Sequence, residues 1–210
     1  MKKKPITFEY KKTTNMETNP QKLNGPWKEG WALDLHTLYS IPIEPELGIY
    51  DTKRPPIAEK LYLLKYQNQK HRVKNIARPA ANFLNKYKSE WQLDLIIPIP
   101  PSDTTREFQP VYEMARSIGQ LVELPVDFDT LIKVKSTSQL KHIEDPDKRQ
   151  EILKDAFTIN LNALVGKNVL LFDDLYRSGE TLKAACDVIM NKGKAKEVYV
   201  LTITKTRSKR

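Results

Sequence analysis

Four apolar residues, Val169-Leu170-Leu171-Phe172, run directly into two carboxylates, Asp173 and Asp174, and then into a short polar turn that ends at Thr181. That order constrains the chain more than anything else in it. An apolar run of this length without alternation reads as a strand buried on both faces, the habit of parallel sheets covered by helices. Beyond the turn, Leu182, Ala185, Cys186 and Ile189 recur at three- and four-residue steps, which predicts a helix over about 180–192. Strand, turn and helix in succession place the two acids at the carboxyl end of a strand, where open parallel sheets bind ligands.

The rest of the chain fits the same architecture. Leu93 to Pro100 reads as a short buried strand that feeds the loop Pro100-Pro101-Ser102-Asp103, and Phe108, Val111, Met114, Ala115, Ile118 and Leu121 predict a helix over 107–121. Glu197 to Ile203 supplies another apolar strand, so strand, helix and strand alternate as in an α/β fold with a mainly parallel sheet. Upstream, Pro55 and Pro56 suit a helix start, and Ile57, Leu61, Leu64 and Lys65 follow at helical spacing with only the last of them polar. A second amphipathic helix is expected over about 72–88, kinked or split at Pro79. Short strands are expected at 131–135 and 156–160, with a long polar segment and a helix near 146–154 between them.

The turn after Asp174 is built for an anion. Backbone N–H groups at the start of a helix, backed by its dipole, favour negative charge. Gly179 permits close approach, while Ser178 and Thr181 add hydroxyl donors. A 5′-phosphate would therefore meet Arg177, Ser178, Gly179, Glu180 and Thr181, and Asp173 and Asp174 beside it can accept hydrogen bonds from vicinal ribose hydroxyls. Two rival readings compete at these residues. Apolar residues ending in Asp-Asp also fit a Walker B strand, but the Gly-Lys pair before that strand, Gly166-Lys167, has Leu161 where a Walker A needs its first glycine. A strand end and a plain turn would leave two adjacent carboxylates without a use.

The run from Val169 to Leu182 resembles the phosphoribosyl-pyrophosphate (PRPP) motif of type I phosphoribosyltransferases. Asp94 to Pro101, the region of Gln139, Arg149 and the pair Ala156-Phe157 further resemble the ComF-like branch, and the likeness spans about 55–205. Two departures accompany it. The N-terminal four-cysteine zinc module often found in that branch cannot be built with one cysteine, Cys186, and Arg177 stands where a small or hydroxyl residue is common.

The resemblance implies a Rossmann-like core with a smaller N-terminal helical lobe or hood. It also implies a pentosyl transfer from PRPP with Mg²⁺ held mainly through the substrate, possible near Asp173 and Asp174, and no metal site made by protein alone. In that scheme Pro100, Pro101, Ser102 and Asp103 form the pyrophosphate loop. The polar segment 136–155 resembles a flexible hood over the site, with Lys135, Lys141 and Arg149 as candidates to meet phosphate charge. Tyr176 is expected to stack or pack, and His36 and His71 read as structural or exposed. The acceptor is not legible.

Composition narrows the alternatives. With 210 residues and 40% hydrophobic content the chain can bury one domain-sized core. No stretch approaches the roughly 18 apolar residues of a membrane helix, and the start, Met1-Lys2-Lys3-Lys4-Pro5, is unlike a signal peptide, so a cytoplasmic location is expected. The net charge of +9 is uneven. Residues 1–30 carry seven Lys/Arg against three acids and residues 192–210 seven against one, which leaves 21 bases and 22 acids between them. These basic ends solubilise the chain or contact a polyanion. The expected division is a basic extension (1–26) outside the core, an N-terminal lobe or hood (27–90), a phosphoribosyltransferase core (91–205) and a basic tail (206–210). Two functions follow: a PRPP-dependent transferase, or a non-catalytic regulatory or nucleic-acid-associated protein on the same fold. Oligomeric state is open, with a homodimer among the options.

Overall fold

The computed structural model describes residues 16–134 and 156–207. A five-stranded sheet forms the centre, in the order β1 (Gln21–Lys22), β2 (Glu29–Leu35), β9 (Glu197–Lys205), β8 (Asn168–Tyr176) and β5 (Leu95–Pro98). The last four are mutually parallel, and β1 adds an antiparallel edge. The chain is therefore α/β with a mainly parallel sheet, as its apolar runs require.

Alternate residues of each strand feed two separate cores. Leu33, Ile96, Leu170, Phe172, Tyr199, Leu201 and Ile203 face α1 (Pro56–Tyr66), α2 (Arg72–Trp91) and α3 (Pro110–Val122). Ala32, Ile97, Val169, Leu171, Val198 and Val200 face α4 (Glu180–Asn191) together with Phe157, Ile159 and Leu164. Burial on both sides explains why β8 and β9 carry no polar alternation until their carboxyl ends. It also locates the crevice. The chain leaves β5 toward α3 on one face and leaves the adjacent β8 toward α4 on the other, and such a divergence opens a ligand cleft at the strand ends.

Several expectations are corrected here. The helix expected to break at Pro79 is continuous from Arg72 to Trp91 with Pro79 buried inside it. Proline removes one main-chain donor, and the apolar face of this helix is buried along its length through Ile76, Ala80, Phe83, Leu84 and Trp91, which holds the helix together around the gap. Trp91 stacks on Tyr199 at 4.7 Å and donates to Glu29, tying the helix to the sheet. Residues 16–26 are not outside the core: β1 pairs with β2, Leu23 is buried, and the Asn19 amide donates to Asp34. Residues 27–90 do not make a separate lobe, because β2 is an interior strand and α1 and α2 share their core with β8 and β9. What stands apart is a ribbon, β3 (Tyr39–Glu44) with β4 (Ile49–Lys53), exposed along nearly its whole length. The short strands expected at 131–135 and 156–160 are β6 (Ile132–Lys133) and β7 (Phe157–Thr158), paired antiparallel. The helix expected near 146–154 lies outside the described residues.

Candidate functional site

Asp173 and Asp174 lie inside β8, which continues to Tyr176, rather than at its last residue. Since strand side chains alternate, neighbouring acids point to opposite faces. The contacts agree. Asp174 is buried on the α1 face, where Lys65 pairs with its carboxylate. Lys65 is partly buried; burial pulls its pKa down, but the charge of Asp174 and the hydrogen bond to it raise it overall. Thr204, buried on β9, donates its hydroxyl to the Asp174 carbonyl (3.3 Å) and lies 3.1 Å from Nδ1 of His36.

Asp173 faces the α4 side. Its carboxylate accepts a hydrogen bond from the Asp174 amide (2.8 Å), and the cations acting on it are Lys65 and Lys133. Burial first, and then the charge of Asp174, push its pKa up to about 7, against the weaker opposing pull of that amide and the two lysines. One carboxylate of the pair is thus held by a lysine, while burial and its neighbour's charge favour the protonated form of the other.

Lys133 links this side to the next loop. It extends from β6, donates to Ser102 (2.8 Å) and lies over the ring of Phe157 at 5.6 Å. Ser102 belongs to the loop after β5, so Lys133 stands between the proposed pyrophosphate loop and Asp173. Asp103, in contrast, turns back on its own loop and accepts from the Thr105 amide and hydroxyl and from Arg106. These hydrogen bonds hold its carboxyl below the usual range and leave it a structural role in the turn. Pro100 and Pro101 end the strand, with Ile99 donating to the Phe172 carbonyl (2.8 Å) to join this loop to β8 just before Asp173.

After Tyr176 the chain turns through Arg177 and Ser178, both exposed, into Gly179, which is buried at the N-cap of α4 with φ of 81°. A side chain at 179 would be strained by that φ and would meet the Tyr176 ring at 2.6 Å. Tyr176 packs edge-on to Trp27 with ring centroids 6.4 Å apart, and its hydroxyl reaches the Asn24 carbonyl (3.4 Å). Among the described residues no side chain caps the α4 N-terminus, so the amides of the turn at Gly179, Glu180 and Thr181 present an open anion cradle.

The structure thus brings the turn 177–181, both carboxylates and the loop 100–103 to one end of the sheet. Lys135, Lys141 and Arg149 lie outside the described residues. His71 is exposed and distant in sequence from any of these elements, whereas His36 reaches the site rim directly after β2. Burial first, then the nearby Arg54 and Lys65, hold the imidazole pKa below its usual value. Sequence reading misses Lys133, whose partners come from remote segments, and passes over Arg54. For Lys65 a signal is present: it is the one polar residue in the apolar spacing of α1. Cys186 is fully buried with its thiol pushed up to about 12, which removes it from any nucleophilic role.

Comparison with known proteins places this geometry. The family model described as "Phosphoribosyl transferase domain" matches residues 64–210. The competence protein ComFC of Bacillus subtilis (strain 168) is 27% identical over 140 residues, 61% of this chain and 56% of that protein. The chain therefore spans little more than half the length of that curated relative. Among solved structures, an adenine phosphoribosyltransferase is similar with a TM-score of 0.42 and 13% identity, over 80% of this chain and 84% of the other. The adenine phosphoribosyltransferase of Thermoanaerobacter pseudethanolicus ATCC 33223 gives 0.37 and 14%, over 80% and 94%.

Proposed function

We propose, from the premise that this chain belongs to the phosphoribosyl transferase domain family, that it binds PRPP with Mg²⁺ and transfers the 5-phosphoribosyl group to a nucleophilic acceptor. The bond from C1 of the ribose to pyrophosphate breaks, a bond from C1 to the acceptor forms, and the acceptor's proton leaves. The observation that carries this reading is the uncapped N-terminus of α4 following directly on Asp173 and Asp174 in β8, with the loop after β5 joined beside them. The turn takes the 5′-phosphate, Asp173 accepts from a ribose hydroxyl, and the loop at 100–103 with Lys133 faces the pyrophosphate. Positive charge develops on the ribose as pyrophosphate departs, so fixed electrostatics around the ring lowers the barrier.

Among the described residues no three His, Cys, Asp or Glu side chains converge to hold a metal ion. With Asp174 turned to the other face and paired with Lys65, Asp173 is the carboxylate left to fit a hard cation bound chiefly by substrate oxygens. When bound, Mg²⁺ supplies neutralisation of the pyrophosphate charge.

Calorimetric titration with PRPP and Mg²⁺ tests the reading. Wild type is expected to bind, and a D173N/D174N variant that retains wild-type circular dichroism is expected to bind at least about tenfold more weakly, the worth of one or two charge-assisted hydrogen bonds. Undiminished binding by the variant refutes it.

A second reading has its own support. Lys192, Lys194 and Lys196 are exposed together after α4, and the similar Bacillus protein is a competence protein. A non-catalytic, nucleic-acid-associated role on this fold predicts DNA or RNA affinity that falls steeply with salt and weakens when those lysines are neutralised. Affinity independent of salt removes it.

A further inference from the structure

We infer that the β2 and β9 side of the crevice is an anion site for the acceptor, so that the nucleophile receiving the ribosyl group carries a carboxylate or phosphate gripped by Arg54. This rests on the transfer reading above and adds the chemical class of the second substrate.

The order of the strands gives the direction of approach. In a displacement at C1 the entering and leaving groups lie on opposite sides of the ribose. Pyrophosphate faces the loop after β5, at one end of the row β2, β9, β8, β5. The acceptor then enters from the other direction, over the carboxyl ends of β9 and β2. His36 stands there, fixed through its amide to the Lys205 carbonyl (2.7 Å) and through Nδ1 to Thr204 (3.1 Å). The charged groups acting on this imidazole are Arg54, Lys65 and Arg177, with Asp174 opposing them.

The pairing is uneven. Lys65 is matched by Asp174, whereas Arg54 meets the half-exposed Glu59 only through Nη1 at 3.5 Å. The Nε edge of Arg54 is left out of that ion pair. Arg54 is also held ready: it follows β4, its guanidinium lies over the Tyr62 ring at 4.2 Å, and its Nε is buried with no hydrogen-bond partner among the described residues. A buried donor without a partner is rare in a native fold and marks a place where a ligand completes the bonding. A guanidinium edge offers two parallel N–H groups, which match the paired oxygens of a carboxylate or phosphate. A neutral carbonyl could accept from that one donor, but only a carboxylate or phosphate offers paired oxygens and a negative charge to the guanidinium, which sets the class.

His36 reports occupancy, because an anion beside it favours the imidazolium. The experiment follows the His36 imidazole resonances by NMR through a pH titration, assigned against His71 and His142 with an H36Q variant. Pyridine-3-carboxylate, its neutral isostere pyridine-3-carboxamide, and inorganic phosphate are the probes. An S178A/T181V variant repeats the titration with the phosphate turn weakened.

Either anion is expected to raise the His36 pKa by about half a unit or more, the size of one added charge near a half-buried group. The carboxamide is expected to leave it unchanged, in wild type and in S178A/T181V alike. R54Q should abolish the response, and R54K, which keeps the charge but not the fork, should weaken it several-fold. Response to carboxylate alone or phosphate alone supports the site and tells the two sources apart. No response to either anion, or an equal response to the carboxamide, overturns it. PRPP titration of the same sample separates the readings: PRPP binding with a silent His36 overturns the acceptor site only. An anion response without PRPP binding keeps the site and removes transfer.

Discussion

The two sides of β8 treat one dipeptide in opposite ways. On the α1 side, Asp174 is buried against Lys65, and the pair is a closed structural unit bonded onward to β9 through Thr204. On the α4 side, Asp173 has no such lock; its carboxylate is pushed up to about 7 chiefly by burial and by its neighbour's charge. Alternation along a strand is the cause, since it sends adjacent side chains into different cores. The pair that looks uniform in sequence is therefore one acid closed by a lysine beside one without such a lock. The neighbouring charge of Asp174 in turn disfavours ionisation of Asp173.

The largest test of this contrast is K65M. Asp174 would be left buried without its cation, and the fold should lose about 3 kcal/mol in denaturant unfolding. A further D174N change should restore most of that loss, since removing both charges is far cheaper than removing one. If K65M unfolds like wild type, Asp174 is not locked and the contrast fails. The next effect belongs to Asp173. An aspartate whose folded pKa lies above its unfolded value contributes stability that is full below pH about 4 and is lost as pH rises through 7. D173N removes that loss, so it should raise stability by more than about 1 kcal/mol at pH 8 and change little at pH 4. A pH-independent effect would show that Asp173 titrates as an ordinary carboxylate.

Much of this arrangement is legible in the amino-acid sequence. The run Val169–Phe172 has to be a strand covered on both faces, and the spacing from Leu182 to Ile189 has to be a helix, so the end of β8 is marked as the site. Period-two alternation already implies that Asp173 and Asp174 diverge, although taking the pair as joint ribose ligands sets that aside. Lys65 stands out as a polar residue in an apolar stripe, yet its partner lies 109 positions away in β8, and spacing within a helix cannot name it. Pro79 misleads for a related reason: local propensity predicts a break, while burial of the whole apolar face of α2 overrides it. The segment before residue 27 looks too polar for a core because, among its described residues, Leu23 alone is a buried apolar residue, with Met16 partly buried against the other core, and β1 is held by main-chain pairing that composition does not reveal.

Lys133 is the residue furthest from sequence recognition and gives the finest test. It lies in a two-residue strand with no motif around it, and its meaning comes only from Ser102 on one side and Asp173 on the other. Burial lowers its pKa, and Asp173 partly restores it, so the ammonium sits in a site that would gain from a polyanion. K133Q should change stability by less than about 1 kcal/mol, because the lysine keeps no buried acid neutral in a closed pair. PRPP affinity should nevertheless fall by about tenfold, as for the loss of one charge-assisted contact, and inorganic pyrophosphate affinity should fall in parallel, while ribose 5-phosphate affinity stays the same. That division, read by calorimetry with three ligands, distinguishes a pyrophosphate contact from general loss of positive charge. Equal weakening toward ribose 5-phosphate would place Lys133 with the scaffold and leave Asp173, of the two, as the group that acts on the ligand.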